Sequence, residues 1–229
     1  MHAADDHHRE QLARECHRHR LGGNQVVEEA EQRAAQAGHR GGEDEGAHGR
    51  FDGEALFFEL ALQDLSRAAD LFLPVHERTA TVDGFVSLEV SPLLAYDTEA
   101  TVAEAKRLYG RAHKRNLFIK IPGTKEGLPA IEEAIVAGVP INVTLLFSRE
   151  HYLSAAEAYL RGVERRIDAG LNPNVTSVAS LFVSRWDVAV SDKASDTLKN
   201  RLGIAIANRA YKAYQELIAS PRWQRACNF

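Results

Sequence analysis

Two hydrophobic periods alternate along this chain, one helical and one strand-like. Leu56, Leu60, Leu65 and Leu71, with Phe57, Ala61 and Ala68 between them, recur at helical spacing and predict a helix over 54–73 that Pro74 ends. Residues 84–90, Gly-Phe-Val-Ser-Leu-Glu-Val, predict a strand. Asp97 is placed to cap a helix over 98–114, and a strand follows at 117–121. A helix over 125–137 stops at Gly138. An apolar strand at 141–147 leads through Ser148, a cap, into a helix over 149–169 closed by Gly170. A fourth strand at 177–183 and a helix over 197–218, broken by Pro221, complete the pattern.

Helices and near-continuous apolar strands in strict alternation mean an α/β fold with a parallel sheet buried under helices. Two closures fit: an open doubly wound sheet, or a (β/α)8 barrel. No glycine-rich phosphate loop follows any strand, which weighs against the nucleotide-binding open sheets. Only about four βα units are visible where a closed barrel needs eight. The expectation is therefore a (β/α)8-type fold that is incomplete in this sequence.

Residues 1–50 differ in kind. They hold seven of the ten histidines, and their large aliphatics are Leu12, Leu21, Val26 and Val27. Such a segment cannot bury enough apolar surface to offset the entropy of ordering it, so it reads as disordered. Its histidines are not spaced to make a convincing metal site. The organisation predicted is a 1–50 segment followed by one barrel-type domain over 51–229.

Bulk composition narrows the function classes. A net charge of −4 over 229 residues argues for neither nucleic acid nor membrane as a partner. No apolar run approaches a membrane span, and the polar start has no signal-peptide core. Cys16 and Cys227 form no disulfide framework and no zinc spacing, which points to the cytosol.

The chemistry lies on one parity of the strands. Phe85, Ser87 and Glu89 oppose Val86, Leu88 and Val90, and Phe118 and Lys120 oppose Leu117, Ile119 and Ile121. Asn142 and Thr144 oppose Ile141, Val143 and Leu145, and Val178, Ser180 and Phe182 oppose Ser177, Ala179, Leu181 and Val183. Each strand thus has an aliphatic face suited to helices, and another carrying one or two functional groups that converge on one interior. A lysine there is costly to bury charged, and the resulting fall in its pKa would make it a nucleophile. A neutral Lys120 attacking a ketone would form a carbinolamine and then an iminium, an electron sink that lets the adjacent carbon–carbon bond break. Glu89, through a water held by Thr144, could move the protons. Asn142 is suited to a substrate hydroxyl, and Arg185 to a phosphate. The plainer readings are a structural Glu89–Lys120 ion pair, internal hydrogen bonds for Asn142 and Thr144, and a solvated Arg185. Asp97 reads as a helix cap, and His113 and His151 as surface residues.

These residues carry a family resemblance. Phe85-Val86-Ser87-Leu88-Glu89-Val90-Ser91-Pro92, followed by Tyr96-Asp97-Thr98-Glu99-Ala100-Thr101, resembles the third-strand signature of transaldolases. Ile119-Lys120-Ile121-Pro122-Gly123-Thr124-Lys125-Glu126-Gly127 resembles their Schiff-base lysine strand. Residues 141–148 are similar to their next strand, and residues 177–185 to the sixth strand of the bacterial long-chain type. The likeness spans about 51–222. It implies a (β/α)8 barrel and transfer of a dihydroxyacetone unit from sedoheptulose 7-phosphate or fructose 6-phosphate to an aldose phosphate, in the pentose phosphate pathway. By position it implies Lys120 as the Schiff-base residue, Glu89 and Thr144 around the catalytic water, Asn142 and Ser180 on substrate, and Arg185 on its phosphate. It implies sugar-phosphate substrates, no cofactor and no metal, and leaves a homodimer open.

The sequence also departs from the family pattern. Two earlier strands are expected, the first with an aspartate that takes the C4 hydroxyl proton and the second with a Thr-Ser-Asn-Pro turn, and neither appears in residues 1–50. Strands three to six of eight are therefore expected here, with residues 1–50 arising from out-of-frame translation or a misplaced gene start. The alternatives to a working transaldolase are a non-catalytic barrel fragment and a related Schiff-base aldolase.

Overall fold

The computed structural model describes residues 53–228, so the expectations for the 1–50 segment lie outside the described residues. In chain order the elements are α1 (Gly53–Arg78), β1 (Val86–Glu89), α2 (Thr98–Ala112), β2 (Leu117–Pro122), α3 (Gly127–Val136), β3 (Ile141–Leu146), α4 (Arg149–Asp168), β4 (Ser177–Leu181), α5 (Ser184–Ala189), α6 (Leu202–Ile218) and α7 (Pro221–Cys227). The four strands form one sheet in the order β1-β2-β3-β4, and every pair is parallel. A doubly wound sheet reverses strand order at a switch point; this one advances without reversal, as barrel strands do.

The helices cover one face. Leu117, Ile119 and Ile121 join Val86, Leu88, Ile141 and Val143 in a buried core that includes Leu108 of α2, Ile131 and Ile135 of α3 and Leu160 and Val163 of α4. On the opposite face Phe85, Phe118 and Val178 form their own small cluster, with the Phe85 and Phe118 rings stacked at 4.1 Å. The expected division of each strand into two parities holds for β1, β2 and β4.

Asp97 caps α2 by accepting from the Ala100 amide at 2.9 Å, and Ser148 caps α4 by accepting from the His151 amide at 3.1 Å. Gly138 takes φ +82° after α3, so its own N–H reaches the Ile135 carbonyl and that of Val139 the Ala134 carbonyl. Asn116, buried just before β2, donates to the carbonyls of Ala69 (2.8 Å) and Gly84 (2.9 Å) and so pins α1 to the approach of β1.

Four expectations need correction. Pro74 does not end the first helix, which runs on to Arg78. The turn beyond it is held by His76, which is buried, meets Phe85 edge-on and places Nδ1 2.9 Å from the Asp83 carbonyl; such packing outweighs the hydrogen bond a proline removes. The last long helix begins at Leu202, because its first amides are capped from a distance by Asp187 Oδ1, which accepts from Leu202 (3.0 Å) and Gly203 (3.2 Å). Pro221 opens α7 at its first position behind the Ser220 cap. Cys227 is disulfide-bonded, where no disulfide framework was expected. Among the described residues no helix is long and apolar enough to cross a membrane.

Candidate active site

Register, not loop placement, builds the site. Glu89 is paired with Lys120 across β1 and β2, and Lys120 with Asn142 across β2 and β3. Paired residues of neighbouring strands point to the same side, so three polar groups from three strands stand in one row on the face opposite α2, α3 and α4. The Glu89 carboxylate lies 3.8 Å from Lys120 Nζ. The lysine side chain is only 16% exposed and the glutamate 45%, so the amine is set into the face while its carboxylate reaches the opening.

Asn142 is 1% exposed and held from both sides. Its Oδ1 accepts from Ser180 Oγ at 2.7 Å, and its Nδ2 donates to Ser87 Oγ at 3.3 Å. Ser180 therefore belongs to the site through Asn142. Thr144, 2% exposed, sits two residues further along β3, in register with Pro122. Ser87 was not singled out from the sequence as a site residue, although it shares the parity of Glu89; its hydrogen bond to Asn142 makes it one.

Loops at the C-terminal ends of the strands hold this end of the sheet together. Thr124, in the turn after β2, donates through Oγ1 to the Ala95 carbonyl (2.6 Å) and accepts from the Gly127 amide (3.0 Å). Thr98 Oγ1 donates to the Glu126 carbonyl at 2.7 Å. The turns after β1 and β2 are thus stitched to each other beside the Glu89–Lys120 pair. The Gly123 amide donates to the Thr144 carbonyl at 2.8 Å, and a Cβ on Gly123 would stand 2.5 Å from Leu146 Cδ2, so a side chain there would have to displace the end of Leu146.

Strand β3 breaks parity after Thr144. Leu145 has φ +58°, and the pairing shifts so that Val143 opposes Ala179 while Leu146 opposes Leu181. This bulge turns Leu146 into the helix-side core and leaves Leu145 exposed, reversing the expectation that Leu145 faces the helices. Arg185 stands apart from the row. It is exposed in the first turn of α5, its guanidinium 4.4 Å from the centre of the Phe182 ring, which in turn stacks on Phe147 at 5.3 Å. The Trp186 indole donates to the Phe147 carbonyl at 2.8 Å and fixes that corner. Among the described residues no group of three His, Cys, Asp or Glu could hold a metal ion.

A partly buried amine, a carboxylate within reach, a fixed amide and three hydroxyls make a set that can add to a carbonyl and move protons around the adduct. Residues 20–224 match the model of the transaldolase/fructose-6-phosphate aldolase family. The chain belongs to that family. Among its relatives, transaldolase 2 of Nostoc punctiforme is 41% identical over 187 residues, covering 74% of this chain and 49% of the relative. Transaldolase 1 of Streptomyces avermitilis is 46% identical over 168 residues, with 70% and 44% covered. The transaldolase of Thermobifida fusca is 47% identical over 168 residues, with 70% and 46% covered. The chain spans about half the length of the curated relatives it matches. The family fold is the (β/α)8 barrel, and the sequential four-stranded parallel sheet with helices on one face is part of such a barrel. The transaldolase family match begins at residue 20, inside the segment set apart by its composition.

Proposed function

We propose that this chain carries a transaldolase site in which Lys120 forms a Schiff base with a ketose phosphate. The observation that supports it most is the row of Glu89, Lys120 and Asn142, paired position by position across three strands, with the carboxylate 3.8 Å from the amine. The Lys120 lone pair adds to the ketone carbon of sedoheptulose 7-phosphate or fructose 6-phosphate, and the carbonyl oxygen takes a proton to give the carbinolamine. Glu89, acting through a water beside Thr144, supplies the proton with which that hydroxyl leaves as water. The iminium nitrogen then accepts the electron pair of the breaking C3–C4 bond as the C4 hydroxyl loses its proton. The aldose phosphate departs and the dihydroxyacetone unit remains as an enamine on Lys120. Addition to a second aldose phosphate and hydrolysis complete the transfer.

Asn142, oriented by Ser180 and Ser87, holds a substrate hydroxyl, and Arg185 takes the phosphate. The reaction belongs to the pentose phosphate pathway and needs no cofactor. The test is borohydride reduction with fructose 6-phosphate followed by mass mapping. A reduced three-carbon or six-carbon adduct on Lys120, absent from Lys120→Met, is expected. A folded protein that gives no adduct, or an adduct that persists in Lys120→Met, overturns the assignment.

The family description also names fructose-6-phosphate aldolase, which supports a second reading: the enamine is protonated and released. Incubation with fructose 6-phosphate and no acceptor separates the two. Sustained release of dihydroxyacetone with glyceraldehyde 3-phosphate means aldolase; release only in proportion to added acceptor means transaldolase.

A further inference from the structure

The irregularity in β3 decides which side chains meet at the end of β4. Val143 pairs with Ala179, and an unshifted pairing would go on to set Leu146 opposite Phe182 and Phe147 opposite Val183. The bulge at Leu145 instead pairs Leu146 with Leu181, so the next residues to meet are Phe147 and Phe182. Leu146 and Leu181 both turn toward the helix-side core. The residue after each therefore turns to the opposite side, which is the side of Ser180 and Asn142. There the two rings stack, 5.3 Å apart and 21° from parallel. The Phe182 amide donates to the Leu146 carbonyl at 2.8 Å and keeps the strands together up to that point.

The stack is anchored on one side and loaded on the other. The Phe147 amide donates to His151 Nδ1 at 3.3 Å, and its carbonyl accepts from the Trp186 indole at 2.8 Å. These bonds fix the Phe147 backbone between α4 and α5. Arg185 precedes that tryptophan, and its guanidinium carbon stands 4.4 Å from the centre of the Phe182 ring, inside the range of about 6 Å over which a ring face attracts a cation. Arg161, Arg165 and Arg222 are held differently, each gripping carboxylates. A carboxylate occupies the guanidinium's donors and offsets its charge. A ring face holds the guanidinium plane and leaves its N–H donors and its charge to an incoming anion. Fixing so flexible a side chain before binding lowers the entropy that binding must offset.

We propose that Phe182, backed by Phe147, is a positioning residue for phosphate recognition: it holds the Arg185 guanidinium in the orientation that meets the substrate phosphate. The bulge in β3 is the device that brings the second ring against the first. The inference rests on the reading of Lys120 and Arg185 given above and deepens it. It assigns part of the site's preference for phosphorylated ketoses to two uncharged side chains.

The experiment measures, on the full chain, how the borohydride-trapped adduct on Lys120 depends on the concentration of two ketones: fructose 6-phosphate, and dihydroxyacetone, which has no phosphate. The variants are Phe182→Leu and Phe182→Met, which remove the ring and keep an apolar side chain, each alone and combined with Arg185→Gln. The readout is the ratio of the two half-saturating concentrations. Loss of the ring is expected to shift this ratio against fructose 6-phosphate by roughly three- to tenfold, and to shift it no further once Arg185 is replaced. A ratio that both Phe182 variants leave unchanged overturns the proposal, because a merely structural role weakens both ketones alike. So does an equal shift in the Arg185→Gln background, which means that the ring acts without the arginine. An unsubstituted chain that traps dihydroxyacetone but not fructose 6-phosphate overturns the proposal alone. One that gives no Lys120 adduct with either ketone overturns the Schiff-base reading, and the proposal with it. Nitrogen-15 arginine NMR of the unsubstituted chain reads the contact without relying on the reaction or on the folding of the Phe182 variants. An Arg185 Hε resonance displaced upfield by the ring current, and absent from Arg185→Gln, is expected. A resonance at its unstructured position overturns the proposal.

Discussion

The Glu89 carboxylate and the Lys120 amine stand 3.8 Å apart because residues 89 and 120 are paired positions of adjacent parallel strands. Their spacing is fixed by backbone hydrogen bonding and does not depend on a mobile loop. The ion pair itself contributes little to stability, on the order of 1 kcal/mol or less at this exposure. Glu89→Gln is therefore expected to fold and melt within a few degrees of the parent. The rate at which a borohydride-trappable adduct forms is expected to fall by roughly 10²–10⁴, the usual worth of a positioned acid–base group. An unchanged trapping rate would remove Glu89 from the proton transfers and leave it a structural partner.

Asn142 offers a separate handle because it is wholly buried and bonded on both sides. Asn142→Ala strands the Ser180 hydroxyl and opens a small void, at a cost of about 2 kcal/mol. For a chain of this size that is a drop of about 4–8 °C in melting temperature. Ser180→Ala removes the same 2.7 Å bond from the other end. The two losses are expected to be non-additive by about 1 kcal/mol in a double-mutant cycle. Strict additivity would mean that the bond carries no energy.

The parity of strand residues was the legible part of the fold. It separated the helix-side face from the site face on β1, β2 and β4, and it brought Glu89, Lys120 and Asn142 together by register. Three things escaped it, each for a physical reason. The cap of α6 comes from Asp187, fifteen residues before Leu202, so no local signal marks the helix start. The continuation of α1 through Pro74 depends on the burial of His76 against Phe85, a tertiary contact that outweighs a local breaker. The β3 bulge turns on one backbone angle at Leu145, a residue type that does not advertise a left-handed conformation. Ser87 was legible by parity and passed over because a serine on a strand has no distinctive chemistry until its partner is known.

That bulge is testable. A non-glycine residue at φ +58° carries a conformational cost of about 1 kcal/mol, which glycine does not bear. Leu145→Gly relieves it while giving up partial side-chain burial, and is expected to melt close to the parent. Leu145→Val, with branching at Cβ, is expected to cost about 1–3 kcal/mol. Thermal unfolding of the two variants decides the point. Equal tolerance of valine and glycine would show that the left-handed angle is not what sets the shift of Leu146 into the core.

The last prediction concerns acid. Arg222 of α7 grips α4 through two carboxylates: Nε and Nη2 donate to Glu164, each at 2.7 Å, and Nη1 donates to Glu157 at 2.7 and 2.9 Å. The hydrogen bonds from Arg222 hold the Glu164 carboxyl below its ordinary range, against a smaller opposing effect of burial. A carboxyl whose folded pKa is depressed adds stability above its unfolded pKa, and that stability is lost as pH falls through the folded value. The α4–α7 clamp therefore strengthens the fold at neutral pH and weakens below the ordinary glutamate range, about pH 4. Because the pair is more than a third exposed, solvent limits the contribution to about 1 kcal/mol. Arg222→Ala is expected to melt about 2–4 °C below the parent at pH 7. The gap is expected to narrow as pH is lowered toward 3, since the parent loses there what the variant never had. A gap that stays constant from pH 7 to 3 would assign the effect of Arg222 to its packing and not to the Glu164 carboxylate.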